Sequence, residues 1–535
     1  MLNPKIFQMR KSNINFIKRV LFFIFCSFSF LAEAQYIEDY PINKGNGDQM
    51  IAFKNWPEAV KQFSALLEKD PDNLEFKYKL GKSYVYADID KRKAMSYLMD
   101  LMAFEEKEKD FYETLARAYF VNYEFDKAKE VYKTMSDSVS SNAKRDVYKQ
   151  WIAQCDVSKK MMENPVKVSF ENLGKNVNSI APDFFPIVFP DESVVLYTTR
   201  REGVIGNLNS YAGYKTSDIF TSKHKRNRYS KARSIGQPNS YGNEFTAGRS
   251  NTGSFVTYTV NSEDNYNDIF VSEKGRRSFM PPKEFGGEGV NTKKDELGAT
   301  LSDDGGIVYF SSNREGGEGG FDIYYVQRLP HGQWSAVRNL GPIINTPGDE
   351  MYPCFGKKDK ILYFASNGHK GMGGLDLFKS LAAGPPNTWQ PPKNLGYPIN
   401  TPNDDQNISF ADNERYAYMS KRFDDTFGDL DIYRLTFLDE KDEYTLVTGR
   451  VVDQDSVVVN AKVQVEVFYE ETGTFVGTYI KNQSNGKYSA ILAPGRYSIE
   501  VNNIEGYKDY QKSYLVLGKN DRAAMRVFDI ILESK

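Results

Sequence analysis

A tripeptide made of Asp, then Ile or Leu, then Phe or Tyr recurs five times between residues 218 and 433. Its aspartates lie 50, 54, 54 and 55 residues apart, at Asp218, Asp268, Asp322, Asp376 and Asp431. An asparagine keeps the same register in the turn ahead of each block, at Asn178, Asn239, Asn291, Asn345 and Asn400. Short strands repeated at a period near 50 cannot bury their apolar faces one unit at a time, so the units must pack side by side around an axis. The spacing therefore predicts a five-bladed β-propeller.

Each repeat contains the same order of turns and strands. An acidic turn at 301–306 leads into alternating apolar residues at 307–312, the period of a half-buried strand. The outer strand, present at 334–341, has no counterpart after Tyr433, but a similar segment stands ahead of the first repeat at 166–174. We therefore expect this N-terminal strand to complete the last blade and close the ring, which removes two exposed sheet edges.

Ahead of the repeats the apolar period changes from that of a strand to that of a helix. Ala59 and Phe63 fall on one helical face, and Pro71 ends that helix. Ala128 lies 69 residues after Ala59, about twice the 34-residue TPR period. The segment resembles about three TPR units followed by a final helix over 143–162. In that family the function lies on a concave groove, whose residues the sequence does not identify.

The last 90 or so residues combine alternating strands with closely spaced turns. Val463 to Val467 alternates, and Asn485-Gly486 and Pro494-Gly495 mark turns. Strands and turns at this spacing predict a small β-sandwich. The segment resembles the carboxypeptidase-regulatory-like domain, whose usual role is adhesion or stability.

The repeats themselves resemble the TolB-like propeller of bacterial envelope proteins. The expected organisation is a signal peptide at 1–34, a TPR-like helical domain at 35–162, a TolB-like five-bladed propeller at 163–440 and a regulatory-like sandwich at 441–535. This order resembles a group of Bacteroidota envelope proteins linked to type IX secretion and gliding. Many of these carry a further OmpA-type domain that binds peptidoglycan. Because the chain stops at Lys535, the resemblance does not extend to direct cell-wall anchoring.

The first 34 residues have the order of a secretory signal. Basic residues up to Arg19 precede an apolar run, and small residues at Ala32 and Ala34 place the cleavage before Gln35. A lipid anchor on Cys26 is the alternative, but large residues precede it. Without this segment the net charge changes from −2 to about −6, which does not suggest a nucleic-acid-binding protein. The mature protein is expected in the periplasm.

The chain lacks the sequence signatures of common catalytic sites. It has no G-x-S-x-G, H-E-x-x-H or G-x-x-x-x-G-K-[ST] motif, and its histidines are His224, His331 and His369, each in an expected loop. The repeated aspartates occur once per blade, so symmetry separates them and favours a structural role over paired acid–base chemistry. We predict no catalytic, cofactor-binding or metal-binding residues, and no cofactor.

Three further features bear on binding or cross-linking. A glycine-rich loop at 316–320 is expected to form tight turns, with calcium binding as the alternative. The basic run 223–233 is expected to be a solvated hairpin, with an acidic partner or a phosphate-rich glycolipid as the alternative. Cys155 and Cys354 lie in different expected domains, which argues against a disulfide.

The sequence thus favours a non-enzymatic periplasmic adaptor. Its partners would be envelope proteins bound through the TPR groove and the propeller face, with outer-membrane association through those partners. The alternative is an exported enzyme, a glycan lyase or a peptidase, acting at the central pocket of the propeller.

Overall fold

The structure is a computed structural model that describes most of the chain after residue 39. It describes residues 40–535 except 88–89, 207–213, 227, 262–265, 276–278, 357–358, 385–386, 413, 424, 439–444, 471–472, 474, 493–494 and 517–525. The expected signal peptide lies outside the described residues. The chain divides into two compact units, the first ending at Leu438 and the second spanning Asp439–Lys535.

The first unit begins with a helical array. Its described helices are α1 Lys44–Ala52, α2 Trp56–Lys69, α3 Leu74–Tyr86, α4 Arg92–Asp100, α5 Phe111–Val121, α6 Phe125–Ser138 and α7 Asn142–Glu163. Asn55 caps α2 by accepting a hydrogen bond from the N–H of Glu58, which satisfies one of the free donors of the first turn. The helix ends just before Pro71, as predicted. Each helix packs against the next one along the chain. Within the described part of the chain, no helix combines the length and apolar character needed to cross a membrane.

Five antiparallel sheets follow, one for each sequence repeat. Their strands are β1 Val168–Asn172, β2 Asp183–Val188, β3 Val194–Thr199, β4 Asp218–Lys225, β5 Arg228–Tyr229, β6 Arg233–Ser234, β7 Glu244–Arg249, β8 Phe255–Asn261, β9 Asn267–Glu273, β10 Lys283–Glu284, β11 Glu296–Leu301, β12 Ile307–Ser312, β13 Asp322–Gln327, β14 Arg338–Asn339, β15 Glu350–Gly356, β16 Ile361–Ser366, β17 Asp376–Leu381, β18 Lys393–Asn394, β19 Ser409–Phe410, β20 Tyr416–Lys421 and β21 Asp431–Phe437.

The sheets have one topology and are numbered here by chain order. Sheet 1 is β2-β3-β4 with β5 and β6, sheet 2 is β7-β8-β9-β10, sheet 3 is β11-β12-β13-β14, sheet 4 is β15-β16-β17-β18, and sheet 5 is β19-β20-β21-β1. The strand β1 pairs with β21, with Phe170 opposite Leu435. The prediction that the N-terminal strand completes the last sheet is therefore confirmed.

The sheets pack in a cycle. The first strand of each of sheets 1 to 3 contacts the first strand of the next sheet, and β2 contacts β19 and β20 of sheet 5. Sheets 4 and 5 meet through Tyr363 and Phe410, whose ring centroids lie 4.4 Å apart. Apolar side chains on both faces of each sheet are thus buried between neighbours, as stacked repeats require.

The second unit consists of two sheets with a common core. Its strands are β22 Thr445–Asp453, β23 Gln464–Tyr469, β24 Phe475–Ile480, β25 Lys487–Leu492, β26 Gly495–Val501, β27 Tyr510–Val516, β28 Arg526–Val527 and β29 Ile530–Leu532. One sheet has β22 at its centre, paired with β25, β28 and β29, and the other has the order β24-β23-β26-β27. Val447, Val465, Tyr488 and Tyr497 belong to the shared core.

Candidate functional site

The repeated aspartates lie at or next to the start of the third strand of each sheet. Four of them accept hydrogen bonds from the preceding turn: Asp218, Asp322, Asp376 and Asp431. Asp218 accepts a hydrogen bond from the N–H of Ile205 at 2.9 Å, and Asp431 accepts one from Phe427 at 2.9 Å. Burial raises the pKa of Asp431 to about 6 and that of Asp376 well above its ordinary value. These four carboxylates each hold the turn of their own sheet, and the five aspartates lie in five different sheets, so the structure does not bring them together.

The repeated asparagines bridge neighbouring sheets. Each asparagine bonds to one residue of the preceding sheet, the Ile or Leu directly after the repeated aspartate. Its side-chain amide accepts a hydrogen bond from the N–H of that residue and donates one to its C=O, at 2.8–3.1 Å. Asn178, the first, bonds Ile432 in the last sheet. The asparagine series therefore closes the cycle together with β1.

A second set of carboxylates, missed in the sequence, lies at or beside the start of the first strand of each sheet. Each accepts a hydrogen bond from the backbone N–H of a Ser or Thr four residues earlier, and all are buried: Asp183, Glu244, Glu296, Glu350 and Asp405. The signal that could have revealed them is a Ser or Thr directly after each repeated asparagine, with an acid four positions on.

These five carboxylates differ in whether a cationic side chain pairs with them. Asp183 pairs with Arg201 at 2.6 Å, Glu296 with Arg314 at 3.1 Å, and Asp405 with Lys421. Glu244 and Glu350 have no ion pair recorded among the described residues. Burial raises the pKa of each of these two to about 7, because the charged form is desolvated without a compensating cation.

The centre of the cycle is filled by side chains of the protein. The rings of Phe185 and Tyr352, from sheets 1 and 4, have centroids 4.7 Å apart, and Phe184 and Phe245 join them in one cluster. Phe185 and Tyr352 both have positive φ, 50° and 54°, at bulges in their strands, a strained conformation for bulky residues.

A buried arginine lies further along the same inner strands. Arg249 of sheet 2 donates to the carbonyl of Val188 at 2.6 Å and to that of Phe410, which links sheets 1, 2 and 5. Burial lowers the pKa of this guanidinium. These contacts occupy the central region in which the alternative enzyme function would need its pocket.

The histidines belong to three different sheets, and His224, expected in a loop, lies within the strand β4, whereas His331 and His369 lie in loops. His224 stacks on Tyr229 with centroids 4.5 Å apart, His369 lies 2.8 Å from the carbonyl of Ile344, and His331 lies in the turn after β13. The described residues contain no cluster of three or more His, Cys, Asp or Glu side chains arranged to hold a metal ion. Cys155 and Cys354 are free thiols, and burial raises their pKa values to about 12 and about 11.

The basic run forms a hairpin of β4 and β5 in which Lys225 and Arg228 stand directly opposite each other. Its six Lys and Arg side chains are exposed and have no ion pair recorded in the described part of the chain: Lys223, Lys225, Arg226, Arg228, Lys231 and Arg233. Like charges across a strand pair are unfavourable. The hairpin is therefore solvated as expected, and its charge remains available to an anionic partner.

The helical array meets the loops of sheets 4 and 5. Met372, in the turn before β17, is fully buried and belongs to the same core cluster as the helices. Its carbonyl accepts a hydrogen bond from Ser158 of α7 at 3.1 Å, and Arg117 of α5 donates to the carbonyl of Pro402 at 3.3 Å. Helices and sheets, expected as separate domains, thus form one compact unit.

Comparisons with known proteins give similarity to solved structures alone. No protein-family model and no curated protein matches the chain. A TolB from Acinetobacter baumannii is 15% identical, with 56% of this chain and 71% of that chain covered and a TM-score of 0.31. An endo-arabinase from Bacteroides thetaiotaomicron is 13% identical, with 50% and 97% covered and a TM-score of 0.33. A periplasmic gluconolactonase from Pseudomonas aeruginosa is 9% identical, with 62% and 85% covered and a TM-score of 0.27.

Proposed function

We propose that this chain is a non-catalytic adaptor of the bacterial periplasm. It would combine a TPR-like helical array, a five-bladed TolB-like propeller and a regulatory-like sandwich, and would associate with the outer membrane through its protein partners. The order of the domains favours a role in type IX secretion or gliding.

The packing at the centre of the five sheets is the observation that carries the proposal. A propeller enzyme needs an accessible cavity with convergent polar groups. Here the aromatic rings of Phe185 and Tyr352 and the guanidinium of Arg249 occupy that region. Binding surfaces on the loops remain, because loops from all five sheets gather at the two ends of the cycle.

The adaptor proposal is tested by comparing binding with turnover. Purified chain should give no turnover on panels of envelope glycans and peptides, while a tagged chain should recover a reproducible set of envelope proteins from its own cells. Turnover that disappears in a variant of the central residues, such as Arg249→Met, would establish the enzyme instead.

The periplasmic location is tested by sequencing the N-terminus of the protein isolated from cells. We expect it to begin at Gln35 or within a residue or two of it, because the signal order ends in small residues there. An intact Met1, or a lipid on Cys26, would contradict this location.

A further inference from the structure

One local arrangement is repeated where four of the sheets adjoin their neighbours. In the turn before the third strand, a residue donates its N–H to the strand-start aspartate and is followed by a glycine; these residues are Ile205, Glu318, Met372 and Phe427. The glycine lies against the loop that follows the next repeated asparagine. A Cβ on Gly428 would come within 2.7 Å of the Cα of Ile180, and one on Gly373 within 3.1 Å of the carbonyl carbon of Pro402.

The helical array occupies one copy of this arrangement. In sheet 4 the residue is Met372, which is fully buried in the helical core, and its neighbour Pro402 accepts a hydrogen bond from Arg117 of α5. Gln154 of α7 donates to the carbonyl of Gly373. An apolar side chain at this position therefore serves as an anchor between helices.

Two copies, in adjacent sheets, carry apolar side chains that are exposed in the part of the chain that the structure describes. Phe427 in sheet 5 is 47% exposed and its loop neighbour Ile180 is 83% exposed. Ile205 in sheet 1 is 44% exposed and its loop neighbour Tyr241 is 74% exposed. We call these four residues the apolar rim. Within each copy the two apolar residues lie on adjoining loops, and paired exposed apolar side chains of this kind are characteristic of interaction sites.

The fold itself does not require apolar residues at these positions. The equivalent residue of sheet 3 is Glu318, whose side chain is exposed while its backbone N–H makes the same bond to an aspartate, Asp322. The turn therefore does not need apolar side chains at Phe427 and Ile205. Both residues are apolar like Met372, which occupies the equivalent position in sheet 4 and packs against the helices.

We propose that the apolar rim binds an α-helical segment of another protein, in the manner in which Met372 and Pro402 bind α5 and α7. The occupant is an amphipathic α-helical segment whose apolar face covers Phe427 and Ile205. A second copy of this chain is disfavoured, because the corresponding site in its own helical array is filled by its own Met372. The proposal deepens the adaptor function and rests on it.

Site-specific cross-linking tests the proposal in the full chain. Tyr241 is replaced by photoreactive p-benzoyl-phenylalanine, which keeps an exposed aromatic ring, and the chain is irradiated in its own cells. We expect one predominant adduct, located by mass spectrometry in a helical segment of another protein. The matched control is the same replacement at Met280, an exposed residue at the opposite end of sheet 2, which should not form this adduct.

The cross-linked segment is then synthesised as a peptide and titrated into purified chain by calorimetry. The double variant Ile205→Glu with Phe427→Glu should weaken its binding at least tenfold while keeping the melting temperature, because glutamate already stands at this position in sheet 3. Met280→Glu should leave the affinity unchanged. The proposal would be overturned by an adduct in lipid, in a non-helical segment or in a second copy of this chain. It would also be overturned if the double variant bound the peptide with the same affinity as the native chain.

The two proposals fail in different ways. Catalytic turnover would remove the adaptor function and leave a helix adduct at Tyr241 intact as a binding site. Envelope partners that bind the double variant as well as the native chain would preserve the adaptor function and eliminate the apolar rim as its helix-binding site.

Discussion

At the scale of single residues, each asparagine completes hydrogen bonding that a short outer strand leaves open. In sheet 3 the outer strand β14 pairs only with Tyr324 and Tyr325, so it does not reach the amide N–H of Ile323. The side chain of Asn345 accepts from that N–H and donates to the carbonyl of the same residue. An asparagine is suited to this because its amide carries both a donor and an acceptor.

Replacement of Asn345 by alanine should therefore destabilise the sheets. The buried N–H of Ile323 would lose its partner, which costs about 1–3 kcal/mol, and urea unfolding should show a lower midpoint. Asn176→Ala is the matched control, since its hydrogen bond to the carbonyl of Tyr229 is exposed and its loss should cost within about 0.5 kcal/mol. Equal midpoints for the two variants would contradict this role of Asn345.

The buried carboxylates without a cation make stability depend on pH. The pKa of Glu350 rises from 4.5 to about 7 on folding, because its charged form is desolvated. Between these values the folded chain holds a proton that the unfolded chain has lost. Its contribution to stability is therefore greatest below about pH 4.5 and falls as the pH rises through about 7.

We expect Glu350→Gln to be more stable than the native chain at about pH 8, by about 1–3 kcal/mol, and to lose this advantage near pH 4.5. Glutamine keeps an acceptor for the N–H of Thr346 without a charge. The comparison is Glu296→Gln, which should be less stable at about pH 8, because it leaves Arg314 without its carboxylate partner. Denaturant unfolding across this pH range measures both, and a pH-independent difference for Glu350→Gln would contradict the assignment.

At the scale of elements, the strand β1 is the piece that turns a row of sheets into a closed cycle. It pairs with β21 over five residues, from Val168 opposite Phe437 to Asn172 opposite Tyr433. Asn172 also donates to Asp431, so the same element supports the turn of the last sheet. Without β1 the outer edge of β21 would be exposed, and free edges favour association between chains.

Deletion of residues 165–172 should destabilise all five sheets together. Loss of the pairing removes the backbone hydrogen bonds of β1 and the contact of Phe170 with Phe423, whose ring centroids lie 5.0 Å apart. We expect a lower melting temperature in calorimetry and concentration-dependent association of the deleted chain in ultracentrifugation. A deleted chain that melts like the intact one would show that closure is unimportant.

At the scale of the whole molecule, the helical array and the five sheets form one compact unit that ends at Leu438. Ser158, Gln154, Arg117 and Lys91 bond to the loops of sheets 4 and 5 in addition to the burial of Met372. A helical domain joined only by a flexible linker would carry its partner independently of the sheets. Here a partner bound to the helices would be held at a set position relative to the loops.

Met372→Glu should uncouple the two parts. It places a charge in the helical core, whereas the equivalent Glu318 of sheet 3 is exposed. We expect the helical array to unfold first, with a separate transition in calorimetry and earlier proteolytic cleavage within 40–163. Phe427→Glu makes the same change at an exposed copy of the site and should keep one transition for the first unit, residues 40–438. One undivided transition of the first unit in Met372→Glu as well would contradict the coupling.

Much of the fold follows from local patterns. The five repeats, the alternating strands, the helix that ends before Pro71 and the strand at 168–172 that completes the last sheet could all be predicted, because apolar period and turn residues are set by neighbours within a few positions. The regular spacing of the asparagines was also evident, although their bonds to the preceding sheet were not. These features belong to the sequence by itself.

The tertiary structure alone decided what meets across the cycle. Phe185 contacts Tyr352, Ser158 bonds to Met372, and Glu296 pairs with Arg314 while Glu350 is buried with no ion pair to any described residue. Each of these depends on residues brought together from different sheets, helices or strands, and no local pattern encodes such a contact. The filled centre, the docked helices and the exposed apolar rim are therefore consequences of packing between repeats, which a single repeat does not reveal.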